Sequence, residues 1–523
     1  MFTKHKKIVS ILLALLLILS VTAGCGTSKT NSSTANTSKT NNSTNSQKPF
    51  TITMMVSSYF PDPAPSDSPV LKEMEKYTNT NVEINFVPNS SYNDKVNTIL
   101  ASGDLPMALL VYQITPSIVN AAKAGAFWEI GPYLKDYPNL SKANPTVLWN
   151  TSIDGKIFSI YRGRDLGRNG IIIRKDWLDN LGLQEPKTVD DFYNVLRAFT
   201  YNDPDKDGKN DTYGMIVTKY SGPFDIIQTW FGAPNGWGDD GSGKLVPAFF
   251  TDAYMKGLQF LRKIAKEGLI NPDFASVDPG KWDDFYVNDK AGVKVDVLDD
   301  ASRLQTKFDT AGKKANWDVL QSVEGPDGEM RTLATSGYNG VFLISKKSVK
   351  TEADLKKVLA FFDKLGDKKM QDLLGYGIEG RHYNLKDGGI DPIPNLPAAV
   401  DREYHDLNQL LTFIPPENAT PRYGTPIYKK QTETIQKNAD IAVSNPAAPF
   451  ISQSPTYAQV GTQLDNIIND ARVKFISGQI DEKGFQAAVD LWRRTGGDKV
   501  IQEVNELYNK YKTEKANIES LTK

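Results

Sequence analysis

The chain has 523 residues, with 61 basic and 62 acidic side chains, three His and a single Cys. Six of the lysines and none of the acids precede Pro49, so the remainder is mildly acidic, which argues against a nucleic-acid or polybasic membrane surface. One Cys excludes an internal disulfide or a cysteine metal cluster; the core must hold the fold, and a body this long should divide in two, because single cores stop growing near ~250–300 residues.

In chain order, Lys4, Lys6 and Lys7 precede an apolar run from Ile8 to Leu19. That run is shorter than the ~20 residues of a membrane-spanning helix and reads as the core of a signal peptide over residues 1–24. Val21-Thr22-Ala23-Gly24-Cys25 is similar to a lipobox, the processing site of bacterial lipoproteins, with Thr22 where Leu or Val is usual. Cys25 is therefore the expected lipidation (palmitate) site, which places the protein on the extracellular face of the cell membrane. Residues 25–48 are mostly Ser, Thr and Asn, cannot bury enough apolar surface to offset ordering entropy, and read as a tether.

The body opens with a strand at Phe50–Val56. A helix at Pro69–Tyr77, a strand at Val82–Val87, a helix at Asn93–Ala101 and an apolar run at Met107–Val111 follow. This alternation predicts an α/β lobe with a mostly parallel sheet. A second block starts near Arg164, with a strand at Asn169–Arg174. Thr188 and Asp191 have capping-box spacing, predicting a helix to about Phe199. Helical patterns continue at Ala253–Glu267, Thr351–Leu365 and Thr432–Asn438. The chain then ends in Tyr457–Ser477, Asp481–Arg494 and Lys499–Lys512. The expected organisation is two lobes, 49–163 with 304–365 and 164–303 with 366–523, joined by several hinge segments.

Among chemical motifs, Gly375–Gly380 matches G-x-G-x-x-G, but a helical pattern precedes it where a dinucleotide site needs a strand. Asp203-Pro204-Asp205-Lys206-Asp207-Gly208-Lys209-Asn210-Asp211 places oxygens at alternate positions with Gly at the turn, as a Ca²⁺ loop requires. Asp203, Asp205 and Asp207 would give carboxylates, Lys209 its carbonyl and Asp211 a further oxygen to a structural ion; the competing reading is an acidic solvent turn. Catalytic sets are sparse: His382 and His405 belong to no zinc helix, and Asp283-Asp284 and Asp299-Asp300 read as solvated pairs. No enzyme is expected. Trp230, Trp237 and Trp282 are candidates to stack on sugar rings, with core packing as the alternative for each. Tyr338, Glu379, His382, Arg162 and Arg164 are candidate polar contacts. The two arginines would suit an acidic sugar or would equally serve as hinge salt bridges.

Several segments together resemble extracellular solute-binding protein family 1: the lipobox and tether, Gly103-Asp104-Leu105-Pro106, Asp154-Gly155-Lys156-Ile157, Ile173–Leu178, Gly377–Tyr383 and Asp470–Gly478. The resemblance covers nearly all of the mature chain and is strongest to the long oligosaccharide-binding lipoproteins of Gram-positive bacteria. It implies a two-lobed α/β fold of the periplasmic-binding-protein type II class, with hinge strands and a helical C-terminal region. It also implies a monomer that closes over an oligosaccharide and delivers it to the permease of an ABC importer. Some relatives carry a similar calcium loop, in which Thr212 stands where Glu is frequent, and Met107 replaces an acid common after Gly-Asp-Leu-Pro. A surface glycoside hydrolase or lyase, or a peptide-binding lipoprotein, is the alternative.

Overall fold

The structure, a computed structural model, describes residues 49–522; Cys25, the signal segment and the tether lie outside the described residues. Two sheets organise the body. The nine strands that build them are β1 (Phe50–Ser58), β2 (Thr80–Pro88), β3 (Ala108–Val111), β4 (Ser159–Gly163), β5 (Asn169–Arg174), β6 (Tyr213–Met215), β7 (Ala291–Val297), β8 (Trp317–Leu320) and β9 (Tyr338–Ile344). The first sheet has the order β2-β1-β3-β9-β4 and the second the order β8-β5-β7-β6. β1 pairs in parallel with β2 along its whole length and with β3 at Met54 and Met55, whereas β9 runs antiparallel to β3 and β4. In the second sheet β5 is antiparallel to both neighbours and β6 is parallel to β7. This is the expected two-lobed α/β fold.

Local chemistry fixes the helices that cover these sheets. Ser68 accepts hydrogen bonds from Val70 N and Leu71 N and starts the helix Pro69–Thr78, which ends at Asn79 in the left-handed region, φ 54°. The expected capping box forms: Thr188 accepts from Asp191 N, Asp191 accepts from Thr188 N, and the helix runs Val189–Tyr201. Pro455–Ile476, Glu482–Trp492 and Asp498–Tyr511 form the C-terminal helical region, in which the Trp492 ring meets Phe249 and Phe250 edge-on at 5.1 and 5.7 Å.

The lobe boundaries differ from the expected ones. The expected return to lobe one at residue 304 comes too early, because Trp317–Leu320 pairs with Arg174–Ile171 in the second sheet. Residues 366–411, assigned to lobe two, instead pack on the first: Tyr77 donates to Asp367 at 2.8 Å, and Ser58 donates to Asp406 at 2.7 Å. The reason is strand pairing. Sheet membership follows from hydrogen-bond partners far along the chain, which local patterns do not encode.

Candidate functional site

The chain passes between the lobes beside the carboxyl ends of β1 and β3, where open α/β sheets bind their ligands. Arg164–Arg168 carries it from β4 to β5, and the segment leading into β9 runs alongside. Arg164 N donates to Gly337 O at 3.0 Å and Thr335 N to Leu166 O at 3.0 Å, so the two crossings are laced together. Thr412 makes a third contact, accepting from Gly163 N at 2.5 Å, and a Cβ on Gly163 would stand 2.9 Å from Phe413 O. Glycine is required there because backbone approaches backbone.

A cavity of about 450 Å³ opens at these crossings, and its walls include Tyr112, Gln113, Asn150, Arg164, Tyr338 and Tyr457. Of the residues lining it, Arg164 alone is charged and none carries a carboxylate. Gln113, Arg164 and Tyr338 have no side-chain hydrogen-bond partner among the described residues, whereas Tyr112 OH donates to Gln409 Oε1 at 3.0 Å. Burial raises the phenol pKa of Tyr338 and pulls that of the Arg164 guanidinium down, the neighbouring Arg168 adding to the latter. A larger hollow of about 740 Å³ lies beside the edge strand β2 and the loop Asp104–Pro106; it is built from lobe-one residues alone.

Both lobes carry large exposed aromatics. Tyr59 and Phe60, just past β1, are 56% and 46% exposed, and Tyr220 of lobe two is 47% exposed. Asp406 holds the first two in place: its carboxylate accepts from Ser58 Oγ at 2.7 Å, Tyr59 N at 2.8 Å and Phe60 N at 3.3 Å. Phe60 stacks on His405, with ring centroids 3.9 Å apart. Tyr220 meets Trp282 edge-on at 6.1 Å, and burial pushes its phenol up to about 12. Sequence reasoning overlooked these side chains. The available signal was position: Tyr59 and Phe60 follow the first parallel strand directly.

The expected site residues divide. Arg164 and Tyr338 line the cavity together. Trp230 is fully buried in lobe two against Phe192, centroids 4.9 Å apart, and shows no face to a ligand. Trp282 is buried as well, donating Nε1 to Ile216 O at 2.9 Å beneath Tyr220 with Lys294 Nζ 4.2 Å from its ring centre. Trp237 is buried on a short hairpin opposite Pro247. Indole area is worth most in a core, and these three are spent there. Arg162 is also buried and donates to three carbonyls, Leu411 O at 3.2 Å, Asn339 O at 2.9 Å and Asn408 O at 3.0 Å. His382 is buried, its Nδ1 accepting from Ile378 N at 2.9 Å and its Nε2 3.1 Å from Val400 O. Glu379 is exposed on the same lobe-one turn, and neither it nor His382 lines the cavity.

The acidic loop folds around its own carboxylates. One oxygen each of Asp203, Asp205 and Asp207 lies within 4.8 Å of the others. Asp203 accepts from Asp207 N and Gly208 N, both at 3.1 Å, with Gly208 at φ 84°. One oxygen of Asp205 is buried without a partner; burial first and the Asp207 charge second raise its pKa. These features fit a bound cation. Asp211 is instead paired with Lys290 at 2.5 Å and Lys209 Nζ with Asp207 at 2.8 Å. Thr212 points inward, donating to Phe199 O at 2.7 Å, so its hydroxyl is turned away from the loop.

Residues 57–372 match the model of the bacterial extracellular solute-binding proteins. Lipoprotein LipO of Bacillus subtilis is 44% identical over 508 residues, 96% of this chain and 98% of its own. The polygalacturonan/rhamnogalacturonan-binding protein YtcQ of the same organism is 39% identical, over 86% of this chain and 89% of its own. Among solved structures, an HMO-binding, ABC-transporter-associated solute-binding protein of Bifidobacterium longum infantis superposes with TM-score 0.68 at 19% identity, over 89% of this chain and 99% of that one. Streptococcus pneumoniae FusA in complex with kestose gives 0.66 at 21% identity, over 88% and 99%. Among the described residues no helix is long and apolar enough to cross a membrane. Two lobes, laced crossings, a cavity at their junction and a match over most of the body lead to one assignment: this chain belongs to the bacterial extracellular solute-binding protein family.

Proposed function

We propose that the protein captures an oligosaccharide in the cleft between its lobes and hands it unchanged to an ABC importer, working as a monomer held at the extracellular face of the membrane by a lipid on Cys25. The observation that carries this reading is the cavity at the lobe crossings. It offers unpartnered polar side chains and no carboxylate, and both lobes carry exposed tyrosines. Sugars bury C–H faces on aromatic rings while their hydroxyls need fixed donors and acceptors, and closure by differential affinity follows from contacts on both lobes. Glycoside hydrolysis needs two carboxylates across the bond, and the lining supplies neither. The names of two relatives, YtcQ and the fructooligosaccharide-binding FusA, 28% identical over 61% of this chain, point to sugars of different charge.

The test is calorimetric titration of the whole protein with a panel of oligosaccharides, followed by chromatography of the recovered sugar. Saturable binding with the sugar returned intact is expected. Binding of peptides but of no sugar, or recovery of shortened sugar, overturns the reading.

We also propose that Asp203, Asp205 and Asp207, with the carbonyl of Lys209, hold one structural Ca²⁺. An ion bound only by the folded state raises its stability. Chelator should lower the melting temperature of the native protein and leave an Asp205→Ala/Asp207→Ala double variant unmoved. An equal response of both proteins would remove the loop as the site.

A further inference from the structure

We infer that the cleft holds a carboxylate subsite, Arg164 set at the lobe crossing, and that the sugar it takes is therefore acidic, a uronic-acid oligosaccharide. The inference rests on the oligosaccharide reading and deepens it by naming the substrate class.

Three observations carry it. First, Arg164 is the one charged residue lining the cavity and has no hydrogen-bond or ion-pair partner for its guanidinium among the described residues. Its neighbours are occupied elsewhere. Arg162 spends its donors on three backbone carbonyls. Arg168 is paired with Asp299 at 2.6 Å, and the Asp165 carboxylate faces that pair. A guanidinium half removed from water and left unpaired is costly unless something anionic or strongly accepting joins it. A planar carboxylate matches its fork in two parallel hydrogen bonds.

Second, the flanking groups come from both lobes. Tyr59 stands at the end of β1, clamped through its backbone by Asp406, and Tyr220 precedes the helix Gly222–Trp230 of lobe two. The Asp299 carboxylate and both phenols lie near enough to Arg164 to act on its guanidinium. Two of the exposed large aromatics, one on each lobe, therefore stand in the neighbourhood of this cation, and a phenol can donate to an anion.

Third, position gives the subsite leverage. Arg164 sits on the segment that joins the lobes, so a ligand charge bound there is held at the crossing itself. A sugar anchored there is positioned to add contacts to each lobe as they close, and those contacts supply the differential affinity that closure requires.

The test compares 1,4-linked trigalacturonate with 1,4-linked galactotriose, the same backbone without carboxylates, by calorimetry on the whole protein. The acid should bind at least about tenfold more tightly, and the gap should narrow as salt is raised. Arg164→Gln should lose about 10- to 100-fold for the acid, with an unchanged melting temperature and a clearly smaller loss for the neutral sugar. Arg164→Lys should fall between. Tyr59→Ala and Tyr220→Ala should weaken both probes. Equal binding of the two probes by the native protein, or equal losses for both in Arg164→Gln, overturns the carboxylate subsite while leaving sugar capture intact. If neither probe binds, the oligosaccharide panel decides. An acidic sugar selectively weakened by Arg164→Gln supports the subsite. A neutral sugar alone overturns it, and no sugar at all overturns the underlying reading.

Discussion

Trp230→Ala should destabilise the protein by about 3–5 kcal/mol, the cost of truncating a fully buried large aromatic, and lower the melting temperature by roughly 3–5 °C. Its indole is completely buried and packs edge-on against Phe192. Its Nε1 is buried with no partner. Truncation thus also removes an unsatisfied donor, which places the loss toward the lower end of that range. Trp230→Phe keeps an aromatic ring at the site but loses one ring's worth of packing together with the orphan N–H, so it should cost less than the alanine change, about 1–2 kcal/mol. Neither variant should change sugar affinity measured well below its own melting point. Calorimetric titration beside thermal denaturation checks this. Lost affinity at unchanged stability in Trp230→Phe would return Trp230 to the ligand site.

The tryptophans show where the sequence stops being informative. Trp230 and Trp237 bracket Gly232-Ala233-Pro234-Asn235-Gly236, and that composition suggests a loop displaying two indoles. The segment before it is the helix Gly222–Trp230, nearly all of whose residues are buried. A helix buried on all sides has no polar face to reveal its direction, so nothing local tells whether its last residue points inward. β7 hides in a different way. Lys294 and Asp296 give it an amphipathic look, yet both are buried. Lys294 is sheltered by Asp283 at 2.9 Å and Asp300 at 2.5 Å, partners that only the tertiary fold supplies.

What was legible follows from short-range physics. The Thr188/Asp191 cap formed because its two hydrogen bonds lie within one turn. The Asp203–Asp207 cluster formed because alternate positions on a tight turn converge. Tyr338 and Arg164 met in the cavity although far apart in sequence, since both end strands at the same edge of the first sheet, Tyr338 lying opposite Gly163. Lobe membership was less legible, because pairing of β8 with β5 is a long-range choice that loop lengths leave open.

Arg162 and Arg164 were equivalent candidates in the sequence, and their variants should now part company. Arg162→Met should cost about 3–5 kcal/mol, because it leaves the carbonyls of Leu411, Asn339 and Asn408 without their donor in a buried site, each at about 1–3 kcal/mol with partial relaxation. Those acceptors belong to two other passes of the chain. Asn339 lies in β9, and Asn408 and Leu411 lie in the segment returning from residue 366, so one guanidinium ties β4 to both. Burial is the main cause that lowers its pKa, with the nearby Arg164 charge opposing protonation as well. The carbonyl dipoles hold that charge, and an apolar replacement of similar length removes the charge and leaves the dipoles unpaired. Arg162→Lys keeps the charge but cannot reach three divergent acceptors, so it should recover only part of the loss. Thermal and denaturant unfolding of both variants measures this, and preference between trigalacturonate and galactotriose, tested on folded protein, should persist because the selective charge is that of Arg164. A melting temperature equal to the native one, together with lost preference for the acid, would make Arg162 the ligand contact and leave the hinge without its central donor.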